Sequence, residues 1–285
     1  MASSIETSKF INHFRSISLP SRSHPLTTAA EEHLSRLRSS EETSSSSSAS
    51  NKLGQLKSLY DCIDDLLQSA LSQRALSHLR SPAEELLDGS LQLLDVCGYV
   101  REAFSQMKEC VQELNSSFRR RKRRDSSFAY EVEAYINSRK KLNKVITKYL
   151  RNLKKKGPNK GPNNEATLSI IREAREINLS VFQSLLGFFA LTSASTKPRG
   201  WSLVSKLLEA KRVSCDGGGE TNEVQGLDAA LLSLRLSKDI NNQVGNLSKR
   251  LEVLESSIQE IEEELECIFR RLMKLRVSLL NIVNH

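Results

Sequence analysis

The carboxy-terminal part of this chain carries an apolar repeat that limits its fold more than any other feature. Ile240, Val244, Leu247, Leu251, Leu254, Ile258, Ile261, Leu265, Ile268, Leu272, Leu275, Leu279 and Ile282 recur at alternating steps of four and three. No polar residue interrupts the row. Residues three and four apart share one side of an α-helix, so the repeat draws a single apolar stripe along a rod. At 1.5 Å per residue that rod is roughly 63 Å long. A 3.5-residue period held this long implies left-handed supercoiling against other helices. Val253, Cys267, Met273 and Leu280 flank the stripe, where a two-stranded zipper usually carries Glu and Lys. The wider apolar face points to packing within a bundle of the same chain, with self-association as the alternative. Leu251, Leu254, Ile258, Ile261, Leu265, Ile268, Leu272, Leu275 and Leu279 form the central helix-interaction ridge.

The rest of the chain reads as helix too. A short helix is predicted over about 26–38, followed by a Ser-rich low-complexity linker from Glu41 to Ser50. Leu53, Leu56, Tyr60, Ile63 and Leu67 define the face of a second helix. Ser81-Pro82-Ala83-Glu84 is a helix start, with Ser81 as cap and Pro82 at the first helical position. Leu93, Cys97, Val100, Phe104, Met107, Val111, Leu114 and Phe118 then keep the four-three rhythm up to a block of bases. From Ser127 to Leu153 a further stripe (Phe128, Val132, Tyr135, Leu142, Ile146, Tyr149, Leu153) is interrupted by Arg139. Residues 177–196 carry no charge and read as a buried central helix, with membrane contact as the alternative. A short helix from Trp201 to about Val213 and a glycine joint at Gly217–Gly219 precede the terminal helix, expected over about 223–282. Only 5% of residues are aromatic, and long stretches lack Gly or Pro, which favours helices over a sandwich or barrel. The expected class is all-α: an elongated bundle over 51–285 behind an irregular amino-terminal segment, 1–50.

No pattern of chemistry-bearing residues emerges. The five histidines form neither HExxH nor a ligand spacing with a cysteine. Phosphate-cradling glycine motifs and the GxSxG elbow are absent from the sequence. Asp61, Asp64 and Asp65 share about one turn of a helix and would suit Mg²⁺, but no second carboxylate motif faces them, so they read as a solvated face. The five cysteines (Cys62, Cys97, Cys110, Cys215, Cys267) are odd in number and lack CxxC spacing, which reads as reduced thiols. A non-enzymatic protein without metal or cofactor is expected.

Charge is concentrated. Arg119 to Lys160 holds sixteen Lys or Arg and three acids, a net of +13 in a chain of net +8. Arg119, Arg120, Arg121, Lys122, Arg123 and Arg124 form one block, and Lys140, Lys144, Lys148, Arg151 and Lys155 share a helix face. Such a patch suits an acidic partner surface, anionic lipid included, or acts as a nuclear import signal. Nucleic acid is the weaker expectation, since no aromatics are interleaved for base stacking. A solvated face and a dipole-favoured helix end are the plain readings. Two serines are candidate phosphosites: Ser18, in an R-S-x-S-x-P spacing that 14-3-3-type proteins read, and Ser126, behind the arginine block.

Five segments together resemble the plant Bypass-type family: RSISLPSRSHP (Arg15–Pro25), LYDCIDDLL (Leu59–Leu67), LLDGSLQLLDVCG (Leu86–Gly98), FRRRK (Phe118–Lys122) and LECIFRRLMKLRVSLLN (Leu265–Asn281). The resemblance implies a plant protein, whose best-known relatives affect root and shoot development by limiting a mobile root-derived signal. It supplies no catalytic residue and no cofactor. It also implies that RSISLPSRSHP belongs to the retained domain, against the plastid-transit reading that a Ser- and Thr-rich start suggests. The sequence-level expectation is a helical adaptor working through protein interaction, with a peripheral protein bound to anionic lipid as the alternative. A cytoplasmic location is expected, with nucleus, membrane periphery and plastid as alternatives.

Overall fold

The computed structural model describes residues 24–39, 45–78, 80–121, 129–155, 165–189, 222–234 and 240–284. Eight helices and no strand are found among them. They are α1 (Pro25–Ser39), α2 (Ser46–Gln68), α3 (Ala70–Ser77), α4 (Arg80–Arg121), α5 (Ala129–Lys155), α6 (Ala166–Phe188), α7 (Glu223–Leu234) and α8 (Ile240–Asn284).

The terminal repeat becomes α8, a helix of 45 residues. All nine ridge residues are buried, each 5% exposed or less, and Val244, Leu247 and Ile282 join them. Their cover comes from the same chain. α8 packs chiefly against α4 and α2, whose own stripes are sunk in the shared core: Leu53, Leu56, Tyr60, Ile63 and Leu67 on α2, and the whole row from Leu93 to Phe118 on α4. The ridge is therefore an internal seam. Three of the four flanking residues do not widen it, contrary to the sequence reading: Val253 is 63% exposed, Met273 47% and Leu280 37%, while Cys267 is half-buried. They sit just past the edge of a stripe already filled by two neighbours.

Charged rows beside the seam show how the three helices are ordered. Between Glu252 and Glu266 α8 carries seven acids and no base, and from Arg270 to Arg276 four bases and no acid. α4 runs antiparallel to it, pairing Arg101 with Glu266 at 2.5 Å, Lys108 with Glu262 at 2.9 Å and Arg119 with Glu252 at 2.9 Å. α2 runs parallel, with Lys57 on Glu264 at 2.5 Å, Asp61 on Arg271 at 2.8 Å and Asp64 on Lys274 at 2.7 Å. Reversing α2 would set Asp61 and Asp64 against the acidic half of α8. Half-exposed pairs of this kind contribute at most about 1 kcal/mol each, so burial of the apolar rows holds the seam while the charges select direction and register.

α6 covers the other flank of α4 and α2. Arg172 clasps Glu85 at 2.6 Å and Asn178, fully buried, donates to the Tyr60 hydroxyl at 2.5 Å. A Cβ at Gly89 would lie 2.9 Å from the Arg175 side chain, so α4 carries glycine where that chain crosses it. α5 lies antiparallel along α4, with Tyr99 and Tyr149 stacked at 3.6 Å.

Several boundaries differ from the sequence reading. The Ser-rich stretch is not all linker: Ser45 accepts from the Ser48 N–H and starts α2, and Ala49 is fully buried. Serine is a good N-cap, and burial of Ala49 rewards the extra turn. α4 already includes Arg80, placing Ser81 and Pro82 in its first turn rather than Ser81 at the cap. The helix expected over 177–196 starts earlier and spans Ala166–Phe188, charged residues included. No described helix is long and apolar enough to cross a membrane. The terminal helix does not extend back to 223. Residues 223–234 form the separate α7, which packs on α8. Its buried Val224, Leu227, Leu231 and Leu234 keep a three-four rhythm that is broken by the step of six to Ile240. The Trp201–Val213 helix and the Gly217–Gly219 joint lie outside the described residues.

Leu265, fully buried at mid-seam, is the sensitive position. Leu265→Ala is expected to lower the unfolding free energy in urea by about 2–5 kcal/mol. Light scattering on the parent protein is expected to return the 32.0 kDa of one chain. A dimer that Leu265→Ala dissociates would contradict internal packing.

Candidate functional site

α5 packs on α4 and α6 and reaches Asp228 of α7, and its other side faces water. Val132, Tyr135, Arg139, Leu142 and Ile146 are buried. On the opposite side Lys140, Lys141, Lys144, Lys148 and Arg151 are all exposed. Lys155 follows in the last turn by register; its side chain is outside the described set. The sixteen residues 140–155 hold seven cations and no acid. Among the described residues no carboxylate pairs with any of the five exposed cations. The bases facing α8, by contrast, are matched one for one. The carbonyl end of α5 accounts for cations in its last turn, Arg151 onward, and not for Lys140, Lys141 or Lys144.

The structure divides the patch that the sequence presents as one. Arg119 and Arg120 belong to the end of α4, beside the start of α5, whereas the lysine row occupies the other half of α5. Arg119 turns to Glu252 on α8, and Arg120 donates to the Ser117 hydroxyl. Between the two sets lies a groove of about 580 Å³ lined in part by Glu109, Glu113 and Glu131. Arg121 ends α4 with its side chain outside the described set, and Lys122, Arg123, Arg124, Ser126 and Ser18 lie outside the described residues.

Arg139 explains how α5 is held. In the sequence it breaks an apolar stripe; in the structure it is 1% exposed and fully engaged. Its guanidinium meets the Asp228 carboxylate of α7 at 3.0 Å and donates to the Phe189 carbonyl at 2.8 Å. Tyr135 donates to the same carboxylate at 3.0 Å, and burial and the nearby Asp228 charge hold its hydroxyl well above the ordinary tyrosine range. Asn222 donates to the Phe188 carbonyl at 2.5 Å. Two orphan carbonyls at the end of α6 are thus capped by side chains from α5 and from the entry to α7. Arg139 is the residue whose role the sequence alone leaves open, because its partner lies 89 positions away. Anchored there, α5 turns the lysine row outward.

The three aspartates hold no metal geometry. Asp61 and Asp65 are exposed, as a solvated face implies, whereas Asp64 is buried; Asp61 pairs with Arg271 and Asp64 with Lys274 across the seam. No cluster of three or more His, Cys, Asp or Glu suited to a metal occurs among the described residues. Cys62, Cys97, Cys110 and Cys267 are free thiols, and Cys215 lies outside the described residues. Burial pushes the Cys97 thiol from 9.0 up to about 12.

Fold and surface together define an all-helical bundle whose apolar ridge is used internally and whose fifth helix presents an unmatched cationic row. A family model described as Protein BPS1 matches residues 52–282, from within α2 to the last turn of α8. The chain belongs to this plant BPS1 family, in agreement with the resemblance read from its segments. Membership is consistent with a regulator of plant development. Comparison with curated proteins and with solved structures found no match.

Two outcomes follow. Asp228→Ala strands the buried Arg139 charge and is expected to lower stability by about 3–5 kcal/mol in urea unfolding, with much of the loss recovered when Arg139→Met is added. A native Cys97 that stayed protonated far above its ordinary 9.0 resists iodoacetamide at mildly alkaline pH until the chain unfolds. The folded chain keeps a proton there that the unfolded chain loses, so between pH 9.0 and about 12 this thiol makes stability fall as pH rises.

Proposed function

We propose that this protein is a non-catalytic helical adaptor in plant root and shoot development, and that the outward face of α5 is its docking surface for an acidic partner. The observation that supports the reading is the run of exposed, unmatched cations at Lys140, Lys141, Lys144, Lys148 and Arg151, on a helix whose other side is anchored through Arg139. Charges left over from folding are free to raise the encounter rate with an oppositely charged surface and to set its orientation. The ridge of α8, which suggested helix-to-helix recognition, is consumed by the core and leaves this role to α5. Family membership supports the developmental setting. Regulation by phosphate at Ser18, including recognition by a 14-3-3-type reader, and at Ser126 belongs to the same proposal: phosphate beside the arginine block would offset its positive charge.

The test is functional replacement. In a plant lacking its own copy, the parent protein is expected to restore root and shoot growth, and a triple variant (Lys140→Glu, Lys144→Glu, Lys148→Glu) of unchanged helical circular dichroism is expected to fail. Full restoration by the variant would remove α5 from the function.

A further inference from the structure

The chemistry of the α5 face narrows its partner. Of the cations from Lys140 to Lys155, six are lysines and one is Arg151. Lysine is a flexible point charge, whereas arginine offers the planar fork that grips a defined carboxylate or phosphate. Protein interfaces are enriched in arginine and depleted in lysine. The exposed row sits on the convex back of one helix, with none of its members among the lining of the groove between α4 and α5. A row of this kind has nothing to enclose a discrete ligand. Two exposed side chains accompany it: Val145, 54% exposed, at its edge, and Tyr130, 79% exposed, at the start of α5, where it also borders that groove. Tyrosine of this exposure suits a headgroup layer, where its ring is half wet and half dry. The stretch of α5 from Lys140 to Lys155 is about 22 Å long. A flat, delocalised negative potential matches it at every point without requiring complementary shape.

We propose that the acidic surface bound by α5 is an anionic membrane leaflet, on which the helix lies lengthwise with Lys140, Lys141, Lys144, Lys148 and Arg151 against the headgroups. This rests on the reading of α5 as the docking face. No helix inserts; the attachment is electrostatic, and the outward cations lie opposite the side on which α5 packs against α4 and α6 and meets Asp228 of α7.

The experiment is co-sedimentation of the full chain with vesicles of phosphatidylcholine alone and of phosphatidylcholine mixed with phosphatidylserine. Binding is expected only to the mixed vesicles at about 0.1 M salt, and its loss is expected at about 0.5 M, where the screening length shortens. Each cation removed is expected to lower partitioning roughly fivefold, so Lys144→Ala with Lys148→Ala lowers it roughly 25-fold. The exposed Lys249 and Arg250 of α8 serve as control, and Lys249→Ala with Arg250→Ala is expected to leave binding unchanged. Free glycerophosphoserine is expected not to compete, because a single headgroup meets too few of the charges. Absence of binding to mixed vesicles, or binding indifferent to the α5 substitutions, overturns the proposal. Should vesicles fail while the α5 triple variant still fails to restore growth, the docking face stands and its occupant is an acidic protein. If that variant also restores growth, both readings fall.

Discussion

Burial of the α8 stripe between α2 and α4 is the interaction on which the other contacts depend. A helix of 45 residues with a continuous apolar row is not stable alone in water, and neither α2 nor α4 covers that row without the other. Once the three are joined, the remaining helices have a surface to pack on: α6 on α4 and α2, α1 on α2 and α6, α5 on α4. The charge rows add little free energy and much direction. α8 is acidic in its middle and basic toward its end; a parallel α2 matches that order with Lys57, Asp61 and Asp64, and α4 sets its bases Arg101, Lys108 and Arg119 along the acidic stretch.

Charge is divided between two tasks. Near α8 bases and acids pair with one another across helices. On α5 the acids end at Glu133 and the cations continue to Lys155, leaving a positive face with no counterpart among the described residues. Arg139 belongs to this helix by sequence and to the interior by position. A buried guanidinium is tolerated only because Asp228 and the Phe189 carbonyl satisfy it. That contact ties α5, α6 and α7 at one point and rolls α5 so that its lysines face water.

Much of the fold was legible before any coordinates. The rows on α2, α4 and α8 repeat with the helix period, a local property, and from Val244 onward on α8, as along α2 and α4, their residues are buried as that period implies. The division between α7 and α8 was also visible, in the six-residue step from Leu234 to Ile240, but the strength of the following repeat drew the two into one. The Ser-rich start of α2 was misjudged because composition says little about a single capping serine that happens to precede a buried alanine.

The sequence by itself determined an all-helical chain, the residues that line its longest helix, its family and the local excess of positive charge, because each is written in spacing or composition over a few dozen residues. Tertiary structure alone decided that the ridge is covered by its own chain, that Val253, Met273 and Leu280 stay wet, that Asp61 and Asp64 serve the seam, and that Arg139 meets Asp228. Those outcomes turn on which surfaces meet across tens to hundreds of residues. A helix period states which side of a rod is apolar and is silent on what the rod lies against.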